Sequence, residues 1–280
     1  MSRDIFDIIN HRASCRNFLE KEIPEEIMNQ LLDAACKSPS SGGFQTYSII
    51  KVTQKEKKEQ LVKLCRNQKF IEKAPVNLVF CIDFRRIKRI NEVEPAPFIE
   101  TDTFANFWIG LMDAAISAQT LCLAAEALQL KTVYVGNLIN RIDQAAALLN
   151  IPEYVCPVIM VTLGYPVSAL KPPLRYDRNI LVHEETYQDM DIEALMKAYK
   201  NKDGQQKIKA SEKLVEKIYR TALTYHGEAY AEKCKKYILD KGYISMYQYW
   251  FGCYYIDEEG FLDMKGYQAF MKKQGFRWLE

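Results

Sequence analysis

The residues best suited to chemistry stand near the start of this 280-residue chain, in a basic-hydroxyl cassette, His11-Arg12-Ala13-Ser14-Cys15-Arg16-Asn17-Phe18. Arg12, Ser14 and Arg16 alternate, so an extended backbone carries all three side chains to one side. Two guanidiniums and a hydroxyl on one face can grip a phosphate, the guanidiniums bidentately and the hydroxyl as a further donor. The spacing is a common one, and alone it describes a solvated basic turn. Gly164-Tyr165-Pro166, Lys171, Arg175 and His183 answer it later in the chain. Cys15 lies between two arginines, which would lower its pKa if it were exposed. The alternation instead turns it away from Ser14 and Arg16, into packing.

Other chemistries are missing. There is no G-x-G-x-x-G, P-loop, H-E-x-x-H or G-x-S-x-G. The eight cysteines form no C-x-x-C pair and there are only three histidines, so free buried thiols and no metal site are expected. No serine or cysteine has a histidine partner that the sequence identifies, which favours a cofactor carrying its own chemistry. A net charge of +2, from 38 basic and 36 acidic residues, argues against a nucleic-acid or anionic-membrane partner. No signal-peptide pattern and no apolar run of spanning length stand out, so a cytoplasmic protein is expected.

The elements that must position these residues alternate. Helical spacing runs over Arg3–Asn10 and again from Pro24 through Ala35, where proline and acids suit a first turn. A hydroxyl- and glycine-rich loop, Ser38–Gly43, leads into a strand at Tyr47–Val52. A helix near Lys55–Arg66 precedes a strand at Val76–Ile82. Residues 84–100, with Pro95 and Pro97, read as an exposed connection. Asn106–Leu128 reads as a long helix buried on most sides, with Phe107 and Trp108 in the core. The strand Thr132–Val135 ends at Gly136-Asn137, where backbone amides could face a ligand. A helix at Ile142–Leu149 and a strand at Val158–Leu163 follow, which makes a mixed α/β domain. Asn201–Gly204 reads as a linker and 208–280 as helical, with the tyrosine-rich tract Tyr243–Tyr255 in a small core. The domains expected are 1–200 and a helical C-terminal extension, 201–280.

Several segments, in order, carry a resemblance to a known family. They include the cassette at 11–18, Ser-Pro-Ser-Ser-Gly-Gly-Phe-Gln at 38–45, Asn67-Gln68-Lys69 and Asp113–Gln119. Tyr134-Val-Gly-Asn137, Leu149–Val155, Leu163-Gly-Tyr-Pro166, Leu170-Lys-Pro172 and Ile180–Glu184 continue it. The chain resembles the nitroreductase-type flavoproteins, in the branch of oxygen-insensitive NADPH nitroreductases and NADPH–flavin reductases. The resemblance covers residues 1 to about 200, with an echo at Met271–Phe276.

It implies an α+β fold, with a mixed, mostly antiparallel sheet flanked by helices, in an intertwined homodimer. It implies FMN as cofactor, NADPH ahead of NADH as reductant, and small electron acceptors such as nitroaromatics, quinones or free flavin, turned over by a ping-pong mechanism. By position, Arg12 and Ser14 should meet the FMN phosphate, joined by Lys171 and Arg175. Arg16 should lie near the pyrimidine edge, where it and the backbone at Gly136 support hydride chemistry that needs no catalytic side chain. Ser40, Ser41 and Gln68 match positions that bond the ribityl chain and ring, with His11, Tyr134 and Asn137 beside them. Lys202, Lys207 and Lys209 stand where the branch binds the extra phosphate of NADPH.

The chain also departs from the branch. Its Lys-Pro-Arg is here Lys171-Pro172-Pro173-Leu174-Arg175, Gly42 and Gly43 replace serines, and the C-terminal region is longer. These changes keep open a specialised flavin chemistry (dehalogenation, ene reduction, flavin fragmentation) or a non-catalytic FMN-binding or partner-docking role.

Overall fold

The computed structural model describes residues 4–98, 101–256 and 264–279. Arg3, the end of the 84–100 connection and part of the 208–280 stretch lie outside them. The chain divides into two compact units, the first formed by residues 1–172 and 261–280, the second by 173–260.

The first unit is built on a four-stranded sheet. Its elements are α1 (Ile5–His11), α2 (Glu25–Cys36), β1 (Tyr47–Val52), α3 (Lys55–Leu64), α4 (Phe70–Lys73), β2 (Val76–Asp83), α5 (Arg85–Asn91), α6 (Phe104–Ala127), β3 (Lys131–Val135), α7 (Ile142–Leu148) and β4 (Val155–Gly164). The strand order is β1-β2-β4-β3 and each of these pairings is antiparallel. Every residue of β2 is buried, because helices cover both faces of the sheet. Leu78 and Phe80 meet Met28, Leu31 and Ala35 of α2 and Ala114, Ala118 and Leu121 of α6. Val79 and Cys81 face the other way, into a core with Leu61 of α3, Ala145 of α7 and Phe270. Phe270 belongs to a C-terminal helix, Met264–Lys273, whose following turn stacks Phe276 on Trp278 at 3.8 Å between ring centroids. Arg277 donates twice to the Asp102 carboxylate, at 3.0 and 2.8 Å, and its amide to Thr101 O.

Three differences from the sequence reading have physical causes. The 84–100 connection begins with a helix, α5, because its prolines come only after Asn91 and leave the basic turn free to coil. The long helix is α6, of 24 residues, and it is long and apolar enough by length and composition to cross a bilayer. In this fold it is a helix of the sheet layer, with Asp113, Ser117 and Glu126 buried against protein partners. It is also not covered all round, for Trp108 is 51% exposed where the core was expected. Phe107 does pack, edge-on to Trp278.

The second unit has α8 (Arg178–Leu181), α9 (Ile192–Lys202), β5 (Lys207–Lys209), α10 (Glu212–His226), α11 (Glu228–Lys241), β6 (Tyr243–Ser245) and α12 (Met246–Tyr249); the C-terminal helix above is α13. It is therefore not purely helical, since β5 and β6 pair as an antiparallel ribbon. Gly242, left-handed at φ 70°, ends α11 and turns the chain into β6. Ile244 points into a small core with Val215, Ile218, Ile238 and Cys253. The tyrosine-rich tract contributes Ile244, Gly252 and Cys253 to the interior, while Tyr247, Phe251 and Tyr255 remain exposed.

Candidate functional site

The cassette leaves α1 in extended conformation, with φ −63° and ψ 129° at Arg12. From there burial alternates as the sequence pattern demands: Ala13 and Cys15 are buried, while Ser14 is half-buried and Arg16 exposed. Backbone bonds fix the segment. The Cys15 amide donates to Thr132 O of β3 at 3.0 Å, the Leu19 amide to Tyr165 O, and the Val167 amide to Asn17 O. The basic-hydroxyl face is thus held along the outer edge of the sheet.

Arg12 is half-buried, and its Nε is a buried donor with no hydrogen-bond partner. Such groups are uncommon in folded proteins, and each calls for an explanation. Beneath the cassette, Lys131 at the start of β3 pairs with the Glu126 carboxylate at the end of α6. The Cys15 thiol is pushed up by burial, which outweighs the downward pull of Lys131 and Arg16. The arginine neighbours do not activate it.

The serine loop is anchored from below. Asp113, buried on α6, accepts from the Ser41 amide at 3.0 Å, the Thr46 amide at 3.2 Å and Thr46 Oγ1 at 2.8 Å. Ser40 Oγ accepts from the Gln45 amide at 3.1 Å. Gly42 and Gly43 are left-handed, at φ 55° and 71°, a conformation serines in their place would resist. Asp113 anchors this loop; from sequence it was named only as the start of the Asp113–Gln119 segment and given no role at the site.

Gln68 and Asn137, assigned separately from sequence, are bonded to each other, Gln68 Nε2 donating to Asn137 Oδ1 at 3.0 Å and to Cys65 O at 3.0 Å. Tyr134 donates its hydroxyl to Gln119 Oε1 at 3.2 Å, and burial raises its pKa. Gly136 is exposed, and a Cβ built on it meets nothing within 4 Å. Neither its backbone angle nor its protein neighbours require glycine, so the open space beside its main chain is available to a ligand.

The remaining candidates are engaged locally or stand exposed. His11 Nδ1 lies 2.9 Å from both the carbonyl and the carboxylate of Asp7, as a helix-terminal cap. His183 accepts from the Gln188 amide. Lys171 is exposed near the end of the first unit, and Arg175 is exposed in the second. Lys202 is held by Asp203 at 2.7 Å and lies 4.8 Å above the Tyr176 ring, whereas Lys207 and Lys209 stand exposed on the ribbon.

Thiol burial carries a prediction. Cys65 and Cys156 are both pushed up to about 12 by desolvation, and Cys36 is exposed. Because the thiolate is the reactive form, a disulfide reagent added to native protein at pH 8 should label Cys36 rapidly. Cys65, Cys81, Cys122 and Cys156 should react only on denaturation, as peptide mass spectrometry can read.

An antiparallel sheet between two helical layers, with a fixed basic-hydroxyl edge, an anchored serine loop and an open glycine turn, defines a class. The nitroreductase family model matches residues 9–165, and the chain belongs to the nitroreductase family. It is 35% identical over 193 residues to the NADPH-flavin oxidoreductase of Vibrio harveyi, covering 69% of this chain and 78% of that one. It is 33% identical over 197 residues to the oxygen-insensitive NADPH nitroreductase of Salmonella typhimurium, covering 70% and 79%. Among solved structures, NfrA2 of B. megaterium superimposes with a TM-score of 0.73 at 26% identity, over 99% of both chains. The region after residue 200, set apart from sequence as an extension, therefore has a counterpart there.

Proposed function

We propose that this protein is an FMN-dependent oxidoreductase that takes hydride from NADPH and passes it to small flat acceptors such as nitroaromatics, quinones or free flavin. The carrying observation is Arg12, a half-buried guanidinium with an unpartnered Nε, on an extended edge where Ser14 and Arg16 alternate with buried residues. A phosphate suits that edge, since charge-assisted bonds are about twice as strong as neutral ones. Bound FMN supplies the ring that accepts and returns hydride. The chain's own residues bind and orient it: Arg12, Ser14 and Lys171 at the phosphate, Ser40, Ser41 and Gln68 at the ribityl chain and ring. Asp113 keeps the serine loop in place, and Asn137 holds Gln68. The Arg16 guanidinium and the Gly136 amide stabilise negative charge developing at the pyrimidine edge. No side chain need move a proton, because solvent can supply it. One binding space serves reductant and acceptor in turn, which is a ping-pong scheme.

Anaerobic stopped-flow mixing with NADPH, then NADH, tests this reading. The purified protein should be yellow, and its absorbance near ~450 nm should bleach faster with NADPH. Lys207→Ala with Lys209→Ala should raise KM for NADPH about tenfold, one charge-assisted contact's worth, and leave NADH unchanged. A yellow protein that neither donor bleaches would instead be a binding protein.

We further infer that two copies pair through α6 and α1. Phe104, Trp108, Met112 and Ile116 recur every fourth residue along α6, each more than 40% exposed. Ile5, Phe6 and Ile9 of α1 are likewise exposed. A stripe of large apolar side chains in water is more stable buried against a second copy. Light scattering should give a dimer for the native chain and a monomer, or a sharply concentration-dependent mixture, for Trp108→Glu; a native monomer would overturn the pairing.

A further inference from the structure

A cavity of about 790 Å³ lies in the first unit between the chain that follows the cassette and the α3–α4 hairpin. Lys21, Lys55, Lys58, Lys69 and Lys73 line it, against three acids, Glu20, Glu22 and Glu72. Four of the lysines are exposed at the rim, and Lys21 lies 4.1 Å above the Tyr165 ring. Lys58 differs from the rest. It is half-buried, and its Nζ donates to Ala74 O at 2.9 Å, the cap of α4. A carbonyl neutralises no charge, so this ammonium is drawn toward the interior with no ion pair of its own among the described residues.

We propose that Lys58 is an acylation site that takes its acyl group from acyl phosphates, the surrounding lysines binding the phosphate and Lys58 providing the nucleophile. In the step, the unprotonated Nζ forms a bond to the acyl carbon. The bond from that carbon to the phosphate oxygen breaks, and inorganic phosphate leaves with the electron pair. The proton lost from Nζ passes to water, and an amide remains.

Two features favour Lys58 over the exposed lysines. Burial lowers its pKa below the usual lysine value, with Glu72 pulling the other way, so more of it is free amine near neutral pH. The excess of positive charge around the cavity concentrates a phosphorylated reagent there. Lys63, exposed and outside the cavity, serves as the reference.

The test uses the full-length purified protein and acetyl phosphate, with site occupancies followed in time by peptide mass spectrometry. Lys58 should acylate at least about fivefold faster than Lys63, within the roughly tenfold or more by which a cleft of one charge can concentrate an oppositely charged reagent. Inorganic phosphate should compete. With N-hydroxysuccinimidyl acetate, which carries no phosphate, Lys58 should keep part of its lead and phosphate should no longer compete. Lys69→Ala with Lys73→Ala, both at exposed positions, should slow the acetyl phosphate reaction at Lys58 and leave the active-ester reaction alone. Lys58 reacting no faster than Lys63, or a rate indifferent to phosphate and to the paired variant, would overturn the proposal. Flavin occupancy plays no part in these readouts, so they stand or fall separately from the redox function.

Discussion

Arg12→Ala should weaken FMN binding by about 10- to 100-fold, the span of a charged hydrogen bond worth roughly 1.5–3 kcal/mol. Riboflavin, which has the same ring and ribityl chain without the phosphate, should lose less than about threefold. The reasoning starts from the backbone. The Cys15 amide is tied to Thr132 O, so the cassette cannot swing away, and its alternation sends Arg12 and Ser14 to the same side. Adding Arg16→Ala should leave the purified protein colourless. Fluorescence titration with both flavins separates the possibilities. Equal losses for FMN and riboflavin would mean that Arg12 supports the ring or the fold, and unchanged FMN affinity would remove it from the site.

Much of this site was legible because its signals are local. A period of two in Arg12, Ser14 and Arg16 needs no knowledge of what lies across the sheet, and the burial of Ala13 and Cys15 follows it. β1, β2 and β4 announced themselves as short apolar runs between turn residues, and each lies within a few residues of its expected place. What stayed hidden depends on distant partners. Asp113 is 67 residues from Thr46 and 72 from Ser41; on a helical wheel it is a flaw in an apolar helix, and only the fold turns it into an anchor. Trp108 shows the converse. An apolar helix face reads as core whether a sheet or a second molecule covers it, so composition alone could not place this ring outside. β5, three residues reading Lys-Ile-Lys, has no strand signal beyond its one half-buried isoleucine facing Ile244. The bond between Gln68 and Asn137 was equally invisible, although both residues had been assigned to the site.

The ion pair under the cassette should matter more to stability than any surface pair. Glu126 is 2% exposed and Lys131 15%, so both charges sit largely out of water. Exposed pairs contribute about 0–1 kcal/mol, and Arg220–Glu216, at 75% and 47% side-chain exposure, belongs with them. Removing one partner of a buried pair costs about 3–5 kcal/mol, because the other is left charged and unpaired. Glu126 is poorly placed to tolerate that, since its Oε1 is already a buried acceptor without a partner. Lys131→Met should therefore lower Tm by roughly 10 °C in a protein of this size, while Lys88→Met, whose partner Glu92 is exposed, should shift it by less than about 2 °C. The double variant Lys131→Met with Glu126→Leu should recover most of the loss, as apolar replacement of a buried pair often does. Flavin binding gives the functional side of the same experiment. Lys131 precedes Thr132, whose carbonyl holds Cys15; strand fraying in Lys131→Met should loosen the arginine face and weaken FMN binding, and the double variant should restore it. A double variant as unstable as the single one would show that Glu126 and Lys131 act separately. The phosphate edge would then owe its rigidity to the backbone bonds alone.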